Sequence, residues 1–402
     1  MGGMCLSENN LWVQKLKEKR NSYGISQNRL AVAAGITRQY LSDIENGRAS
    51  PSEDIKETIL KSLERFNPDS PLDMLFDYVR IRFPTVNVKH VIEDILLLKM
   101  KYMLHEDYGF YSYAEHYALG DIFVMVSPDE KKGVLLELKG RGCRQFEGFL
   151  LAQHRSWYDF FVCAISEGAV FKRLDLAIND KAGILDIPKL TEKCRNEECI
   201  SVFRSFKSYR SGELIHREEK EAMGNTLYIG SLKSEIYFCI YEKDYEQYVK
   251  NGVPIEEAEV KNRFEIRLKN DRAYHAIVDL LSYKDAERTA FSIINRYLRF
   301  VDKIENKRRS EWKINENWAW FIGKDREKLK LTTKPEPYSF ARTLNWLGRQ
   351  VAPTLKVALL IDQIRNTNVI YDIIQNAKLT KRHEKILQQQ VDNAEQMVTN
   401  CS

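Results

Sequence analysis

Four short segments of the chain place an acidic or phenolic side chain between apolar neighbours. The segments are FKRLDLAIND with Asp175, KNRFEIRLK with Glu265, EIYFCIYEK with Tyr241, and GVLLELK with Glu137. Successive side chains of a strand point to opposite faces, so each of these groups should lie opposite the core-facing side chains of its strand. In one sheet with these strands as neighbours, the four groups would converge.

Such a convergence would have a definite chemistry. Carboxylates gathered in one site repel each other unless a cation lies between them, and hard oxygen ligands favour Mg²⁺ or Mn²⁺. A tyrosine is a poor nucleophile at neutral pH because its pKa is about 10, but a cation that polarises a DNA phosphate lowers the barrier to attack. The ordinary alternative is a solvated sheet face, where charged residues and tyrosine are both common.

The elements that must position these groups form three parts of the chain. Residues 9–66 read as short helices, and two prolines within 67–71 mark a linker because proline interrupts helices. From about 74 to 270, short β-branched or aromatic runs predict strands with helices between some of them. From about 271 onward the pattern is helical to the end.

This order predicts an α+β fold with three domains. An all-α domain would occupy residues 9–66, and an antiparallel-sheet catalytic domain with flanking helices residues 74–320. A helical extension would occupy residues 321–402. Inside the catalytic domain, helices are expected within 144–166 and 187–196.

The run from Ser26 to Gly47 carries the clearest local motif. Ser26 and Thr37 can each cap a helix, and Gly35 suits the tight turn between the two helices. The spacing resembles the helix-turn-helix family of Cro and the phage repressors, in which the start of the second helix enters the major groove. The DNA-contacting positions implied here are Gln27, Thr37, Arg38, Gln39 and Ser42. The alternative is a helical hairpin that serves dimer or partner contacts.

Three runs in the predicted catalytic domain also occur together in a known family. They are RLDLA at 173–177, YIGSLKS leading to IYEK at 228–243, and RFEIRLK at 263–269. In this order they resemble the replication initiation factor family, which includes rolling-circle plasmid Rep proteins and MobT-type relaxases of conjugative transposons. The resemblance covers roughly residues 74–320, and a repressor-like module in front is similar to the MobT relaxases.

The resemblance implies roles for individual residues. The tyrosine of the I-Y-x-K run, Tyr241, would be the nucleophile, although Tyr237, Tyr245 and Tyr248 compete for this role. Attack on a phosphodiester would link the tyrosine to the 5′ end and free a 3′-OH, and religation would need no ATP. The implied ligands of Mg²⁺ or Mn²⁺ are Asp175, Glu265 and Asp77, together with a second ligand from the Asn179-Asp180 pair that the sequence leaves open. Strand alternation alone adds Glu137.

Basic residues of the same runs are candidates for binding the DNA backbone. They are Lys233, Lys243, Arg173, Arg263 and Arg267. Lysines at strand ends are equally typical of solvated positions. Farther along, segment 306–350 combines basic residues with tryptophans at 312, 318, 320 and 346, which suits either stacking on a single strand or a helical core.

Composition sets outer limits on function. The 402 residues are 44% hydrophobic and 30% charged, as in an ordinary globular protein, and a net charge of +5 permits nucleic-acid binding without arguing for it. No apolar run reaches the roughly 18 residues of a membrane span, and no signal peptide is apparent, so we expect a cytoplasmic protein without membrane insertion.

Seven scattered cysteines argue against a disulfide framework or a structural zinc site. The seven histidines never form a His-hydrophobe-His pair, which excludes a histidine-ligated relaxase.

These patterns together favour a site- and strand-specific DNA nicking and joining enzyme at an origin of transfer. It would initiate conjugation, with rolling-circle replication as a further role. Expected partners are the origin duplex, the nicked single strand, a helicase, a conjugation coupling protein and a second copy of the chain. The alternatives are a plasmid rolling-circle initiator and a non-enzymatic helix-turn-helix repressor.

Overall fold

The computed structural model describes residues 8–23, 26–34, 36–64, 71–212, 222–323 and 347–399, together with Pro335 and residues 343–344. The α-helices are α1 (Glu8–Ser22), α2 (Gln27–Ala34), α3 (Arg38–Glu45), α4 (Glu53–Glu64), α5 (Val88–His90), α6 (Arg141–Ala152), α7 (Trp157–Ser166), α8 (Ile187–Arg195), α9 (Lys243–Asn251), α10 (Asp271–Tyr283), α11 (Ala286–Tyr297), α12 (Glu316–Phe321), α13 (Ala352–Arg365), α14 (Val369–Gln375), α15 (Lys381–Val391) and α16 (Ala394–Met397). The strands are β1 (Leu72–Phe83), β2 (Leu104–Glu106), β3 (Glu115–Leu119), β4 (Ile122–Val126), β5 (Val134–Lys139), β6 (Val170–Asp180), β7 (Cys199–Ser201), β8 (Phe206–Gly212), β9 (Ala222–Ile229), β10 (Ile236–Glu242), β11 (Asn262–Lys269), β12 (Leu298–Asp302) and β13 (Lys313–Ile314). The fold is α+β, as predicted.

The chain forms two compact units that each combine distant segments. The first unit contains residues 1–82 and 154–334, and the second contains 83–153 and 335–402. The predicted boundary at residue 320 stays a prediction. The predicted linker lies outside the described residues except for its last residue, Pro71.

The N-terminal helices of the first unit have a hydrophobic core of their own. The members of this core are Val13, Leu16, Leu30, Ala31, Ala34, Leu41, Ile44, Ile59 and Leu63. The Thr37 hydroxyl oxygen accepts a hydrogen bond from the backbone N–H of Tyr40 at 3.1 Å and so caps α3, as predicted. Gly35 lies outside the described residues.

The first unit also contains a six-stranded antiparallel sheet in the order β1-β6-β11-β10-β9-β8. One face of this sheet is apolar and packs against helices. Phe264 contacts Trp318 and Phe321 of α12, while Phe76 contacts Trp157 and Phe161 of α7. Apolar side chains at every second position put this face in the core and leave the other face to polar residues.

The region after residue 271 is not helical throughout, contrary to the sequence expectation. Residues 298–302 form β12, which pairs with β7 and with β13 in a small antiparallel sheet. Phe300 and Val301 are fully buried there, and Phe300 packs against Trp318. Tertiary burial of this segment overrides its helical pattern. Trp318 is therefore a core residue, and Trp346 lies outside the described residues.

The second unit contains an antiparallel sheet in the order β2-β3-β4-β5, and α6 packs against β5. Its C-terminal helices contact the segment near β2. Gln389 of α15 donates to the Tyr102 carbonyl at 2.8 Å, and the Tyr102 hydroxyl donates to Asp392 at 2.7 Å. A search of the described helices finds none with both the length and the apolar character needed to cross a bilayer.

Candidate active site

Three adjacent strands bring the predicted catalytic groups of the first unit to one face. Tyr241 on β10, Glu265 on β11 and Asp175 on β6 all alternate with core-facing residues. The register pairs Tyr241 with Arg263, and pairs Arg263 with Asn179 on the next strand. This polar side of the sheet, called the site face below, therefore carries the groups in rows that cross the strands.

The Tyr241 hydroxyl is engaged by a carboxylate and lies near an ammonium group. It donates a hydrogen bond to Glu265 Oε1 at 2.8 Å, and Lys243 Nζ lies 3.4 Å from the tyrosine hydroxyl oxygen. Burial, followed by the negative charge of Glu265, raises the pKa of Tyr241 well above its usual value. Burial and the neighbouring Arg263 lower the pKa of Lys243, which also forms an ion pair with Glu246. The hydroxyl is therefore protonated at rest, beside a group that can accept its proton.

Arg263, the neighbour of Tyr241, is fixed by two polar side chains, one of which is held by a third. Its Nε donates to Asn179 Oδ1 and its Nη1 to Asp77 Oδ1, both at 2.8 Å. Asn179 Nδ2 in turn donates to Asp73 Oδ1 at 2.6 Å, and Lys181 Nζ lies 3.1 Å from the other Asp73 oxygen. The guanidinium group beside the tyrosine is thus held in a single orientation by residues of β1 and β6.

A second ionic cluster lies next to the first. Arg173 binds both oxygens of Asp175 at 2.9 and 2.6 Å, while Arg267 Nε lies 2.8 Å from Glu265 Oε2 and 3.7 Å from Asp175 Oδ2. The two carboxylate residues are each 2% exposed, so the site face is not the solvated surface that alternation alone would suggest. Burial raises the pKa of Asp175 to about 6 although the Arg173 guanidinium opposes that shift. A buried carboxylate with this pKa lies where additional positive charge would be favourable.

The two residues of the Asn179-Asp180 pair face opposite sides of β6. Asp180 is fully buried, and its carboxylate accepts hydrogen bonds from the backbone N–H of Ala182 and Leu185 and from the side chain of Asn262. Asp180 therefore organises the loop after β6, whereas Asn179 lies on the site face. Asn179 and Asp77 both accept a hydrogen bond from Arg263.

The remaining predicted ligand is Glu137. Glu137 belongs to the second unit, where its carboxylate accepts from the Tyr111 hydroxyl at 2.9 Å and pairs with Lys139 at 2.7 Å. Within the described ranges, the group of three side chains whose ligand atoms lie within 4.8 Å of one another is His105, Asp107 and Glu115, also in the second unit.

The competing tyrosines occupy different surroundings. Tyr237 lies on the site face under Lys269, whose ammonium group is 5.0 Å from the ring centre. Tyr245 and Tyr248 lie in α9, as predicted. Of these four tyrosines, Tyr241 is the one whose hydroxyl contacts Glu265 in the described hydrogen bonds.

The predicted phosphate-binding residues lie partly on the site face and partly at the ends of its strands. Arg173, Arg263 and Arg267 lie on the site face. Lys243 begins α9, and Lys233 is exposed in the turn between β9 and β10.

The predicted DNA-reading residues lie around the start of α3. Thr37, Arg38 and Gln39 are exposed and Ser42 is partly exposed, as a groove-facing helix requires. Gln27 is different, because its side-chain amide donates to the buried Glu45 at 2.8 Å beside the Arg20–Glu45 ion pair.

Sequence reasoning missed three residues of the site face. Asp73 holds Asn179, and Arg80 and Lys269 are both register partners of Arg173. The expected domain began at residue 74, whereas β1 begins at Leu72, so Asp73 fell outside it. Alternation along β11 could have identified Lys269, since it lies two residues after Arg267.

Comparisons with known proteins agree with this architecture. Residues 169–374 match the model of the replication initiation factor family, residues 73–163 match the N-terminal domain of rolling-circle replication initiation proteins, and residues 16–64 match a helix-turn-helix model.

Two proteins illustrate the similarity. The putative DNA relaxase NicK of Bacillus subtilis is 43% identical over 320 residues, which cover 79% of this chain and 90% of that protein. The structure of a rolling-circle replication initiator protein from Geobacillus stearothermophilus superposes with a TM-score of 0.56 at 25% identity, covering 66% of this chain and 99% of the other. This chain therefore belongs to the replication initiation factor family.

Proposed function

We propose that this protein is a site- and strand-specific DNA relaxase that nicks and rejoins one strand at an origin of transfer and thereby initiates conjugative transfer. The observation that carries the proposal is the Tyr241 hydroxyl, which lies 2.8 Å from the Glu265 carboxylate on a face that also holds Asp175. Support comes from the family, and from the similarity to a protein described as a DNA relaxase over 90% of that protein's length.

The chemistry follows from the position of Tyr241. Its oxygen attacks the phosphorus of the scissile phosphodiester, and Glu265 is placed to take the phenolic proton. The bond from phosphorus to the 3′ oxygen breaks, and that oxygen takes a proton from water to become a free 3′-OH. The 5′ phosphate remains esterified to Tyr241, so the reverse attack by the 3′-OH rejoins the strand without ATP.

Arginine and lysine side chains would stabilise the charge that develops on the phosphate. Arg263 is fixed beside Tyr241 by Asn179 and Asp77, and Lys243 Nζ lies 3.4 Å from the tyrosine oxygen. Preorganised cations of this kind stabilise a transition state because they need not reorient during the reaction.

Members of this family generally use a divalent metal ion. Asp175 and Glu265 offer the hard carboxylate oxygens that Mg²⁺ or Mn²⁺ prefers. Arg173, Arg267 and the Tyr241 hydroxyl contact these oxygens in the structure, so a bound ion would replace part of these contacts. Asp175 and Glu265 would hold the ion, with Asn179 and Asp77 as further oxygen donors. A bound ion would polarise the scissile phosphate. Glu137, in the second unit, stays a prediction from alternation.

The DNA duplex at the origin would be recognised by α3 through Thr37, Arg38, Gln39 and Ser42. The nicked single strand would occupy the site face. A helicase, a coupling protein and a second copy of the chain are further proposed partners.

A plasmid replication initiator would use the same chemistry, and the structure of such an initiator is similar to this one. A transfer relaxase and a plasmid replication initiator differ in the origin that they nick.

The test is formation of a covalent adduct. The full-length protein is incubated with a labelled single-stranded oligonucleotide of the transfer origin and with Mg²⁺ or Mn²⁺, and a shifted protein band is expected. The Tyr241→Phe variant should form no adduct, whereas Tyr248→Phe in α9 should react normally. An adduct with Tyr241→Phe would show that another residue is the nucleophile.

A second assay separates the enzyme from a repressor. Supercoiled plasmid that carries the transfer origin should become open circles only in the presence of the metal ion. Binding of the duplex without strand cleavage under any metal ion would favour a non-enzymatic repressor.

A further inference from the structure

A row of basic side chains crosses the site face at the end remote from Tyr241. Lys269 of β11 and Arg80 of β1 are each register partners of Arg173 on β6, which lies between them. Neighbouring strands are about 4.8 Å apart, so three cationic side chains stand side by side. Like charges directly opposite each other destabilise a sheet, and an anion bound across the row would offset their repulsion.

Tyrosine rings hold these cations in place. The Arg173 guanidinium lies 4.0 Å from the ring centre of Tyr78, and Arg80 lies 5.5 Å from the same ring. The Lys269 ammonium lies 5.0 Å from the ring centre of Tyr237. Both rings are buried, at 8% and 5% exposure, so they support the cations and leave little surface on which a base could stack.

The charges around the row alter the pKa of Lys269. Arg173 is paired with Asp175 at 2.6 Å. Burial lowers the pKa of Lys269, and the positive charges of Arg173 and Arg80 lower it further, while Asp175 opposes the shift. An anion at this end of the face would relieve that repulsion.

The outer members of the row, Arg80 and Lys269, are separated from the reacting bond, while the central Arg173 binds Asp175 of the site. Lys269 lies six residues along β11 from Arg263, the partner of Tyr241, which corresponds to about 20 Å at roughly 3.3 Å per residue. A strand with the rise of B-form DNA, about 3.4 Å per nucleotide, spans that distance in about six nucleotides. The Lys269 ammonium also donates to the Leu232 carbonyl at 2.7 Å, which places the turn that carries Lys233 beside the row.

We propose that Arg80 and Lys269, on either side of Arg173, form a phosphate subsite that holds the single strand several nucleotides away from the bond that Tyr241 attacks. The subsite rests on the proposed function and deepens it, because it gives the strand a second anchor on the same sheet. Contacts of this kind position the strand without reading its sequence.

The test is the salt dependence of single-strand binding. Anisotropy of a fluorescein-labelled single-stranded oligonucleotide of mixed sequence is measured with the full-length protein at several salt concentrations, without divalent metal. Each phosphate contact to a single strand contributes about 0.7 to the slope of log K against log salt concentration. The double variant Arg80→Gln/Lys269→Gln should therefore lose about 1.4 from that slope.

A matched control removes the same charges elsewhere. Arg272 at the start of α10 and Lys303 after β12 are exposed and lie outside the six-stranded sheet. Arg272→Gln/Lys303→Gln should keep the wild-type slope. An unchanged slope in the site-face variant, or an equal change in the control, would overturn the subsite.

Two further variants keep the test decisive if the double variant folds poorly. Lys269→Gln alone should lose about 0.7 from the slope, and the exchange Arg80→Lys/Lys269→Arg should keep it. An unchanged slope with Lys269→Gln, or a reduced slope with Arg80→Lys/Lys269→Arg, also overturns the subsite.

The binding readout requires neither cleavage nor Tyr241. A protein that shows the slope change but never nicks DNA would retain the subsite and lose the proposed function. A protein that nicks DNA while its slope is insensitive to Arg80 and Lys269 would lose the subsite alone.

Discussion

At the scale of single residues, the candidate site is a set of buried charges that satisfy one another. Asp175 and Glu265 are each 2% exposed and are bound by Arg173 and Arg267. Buried carboxylates persist in proteins when they are paired and hydrogen-bonded, and these meet that condition. The same pairing leaves Tyr241 with one carboxylate oxygen as its acceptor, which orients its hydroxyl.

Replacement of Asn179 measures how much this network contributes to the free energy of unfolding. Asn179→Ala removes the acceptor of Arg263 Nε and the donor to Asp73, and so leaves two buried polar groups without these partners. We expect the free energy of unfolding to fall by about 1–3 kcal/mol, and adduct formation to slow because Arg263 loses its orientation. Denaturant unfolding and the oligonucleotide assay measure the two effects.

The control for this prediction is Asn251→Ala at the exposed end of α9. Its stability should change by less than about 0.5 kcal/mol. An Asn179→Ala protein as stable as the control would show that Arg263 is held by Asp77 alone.

At the scale of elements, strand register and helix capping position two different sets of functional groups. Strand register sets the rows of the site face, because Tyr241, Arg263 and Asn179 are cross-strand partners on β10, β11 and β6. Helix α3 instead depends on its N-cap, where Thr37 accepts from the Tyr40 N–H, and on a core that buries Leu41 and Ile44. The exposed start of α3 is thereby available to a duplex.

The α3 residues should affect duplex binding and leave strand cleavage unchanged. Arg38→Ala/Gln39→Ala is expected to weaken binding of the origin duplex by about 1–3 kcal/mol for each base edge that these side chains would bind in a bidentate manner. Adduct formation with a single-stranded oligonucleotide should stay the same, since that reaction needs no groove. Electrophoretic mobility shift and the adduct assay provide the comparison.

An equivalent pair on α1 serves as the reference. Gln14→Ala/Lys15→Ala removes an amide and a cation from exposed positions of the same domain. Equal weakening of duplex binding in both double variants would mean that α3 does not read the groove.

At the scale of the whole molecule, distant parts of the chain complete each compact unit. The second unit joins residues 83–153 with the C-terminal helices, through the hydrogen bond from Gln389 to Tyr102 and an antiparallel bridge between Leu98 and Val398. The last helices are therefore a structural part of a unit whose sheet comes from the first half of the chain.

Removal of the Gln389 hydrogen bond should loosen the C-terminal helices locally. Gln389 is buried and donates to the Tyr102 carbonyl at 2.8 Å, so Gln389→Ala leaves that carbonyl without its described side-chain donor. We expect faster hydrogen exchange across α15 and α16, by the equivalent of about 1–3 kcal/mol. Gln388 is the exposed neighbour, and Gln388→Ala should leave the exchange unchanged. Equal exchange rates in the two variants would contradict this role.

The sequence by itself determined which side chains share a face. Alternation in β6, β10 and β11 assigned Asp175, Tyr241 and Glu265 to the polar side of their strands, because the period of a strand is two and apolar residues must face the core. Local chemistry also predicted the cap of α3 and the α+β class.

Only the tertiary structure decided which strands are neighbours, and in which register. The order β1-β6-β11-β10 brings Asp73, Arg80 and Lys269 to residues about 100 positions away in the chain, and such pairing leaves no periodic signal in any one segment. The same limit explains β12, whose helical pattern was overridden because its apolar residues are buried against β7 and Trp318. Contacts between distant segments depend on the energy of the whole packed arrangement, whereas caps and alternation depend on a few adjacent residues.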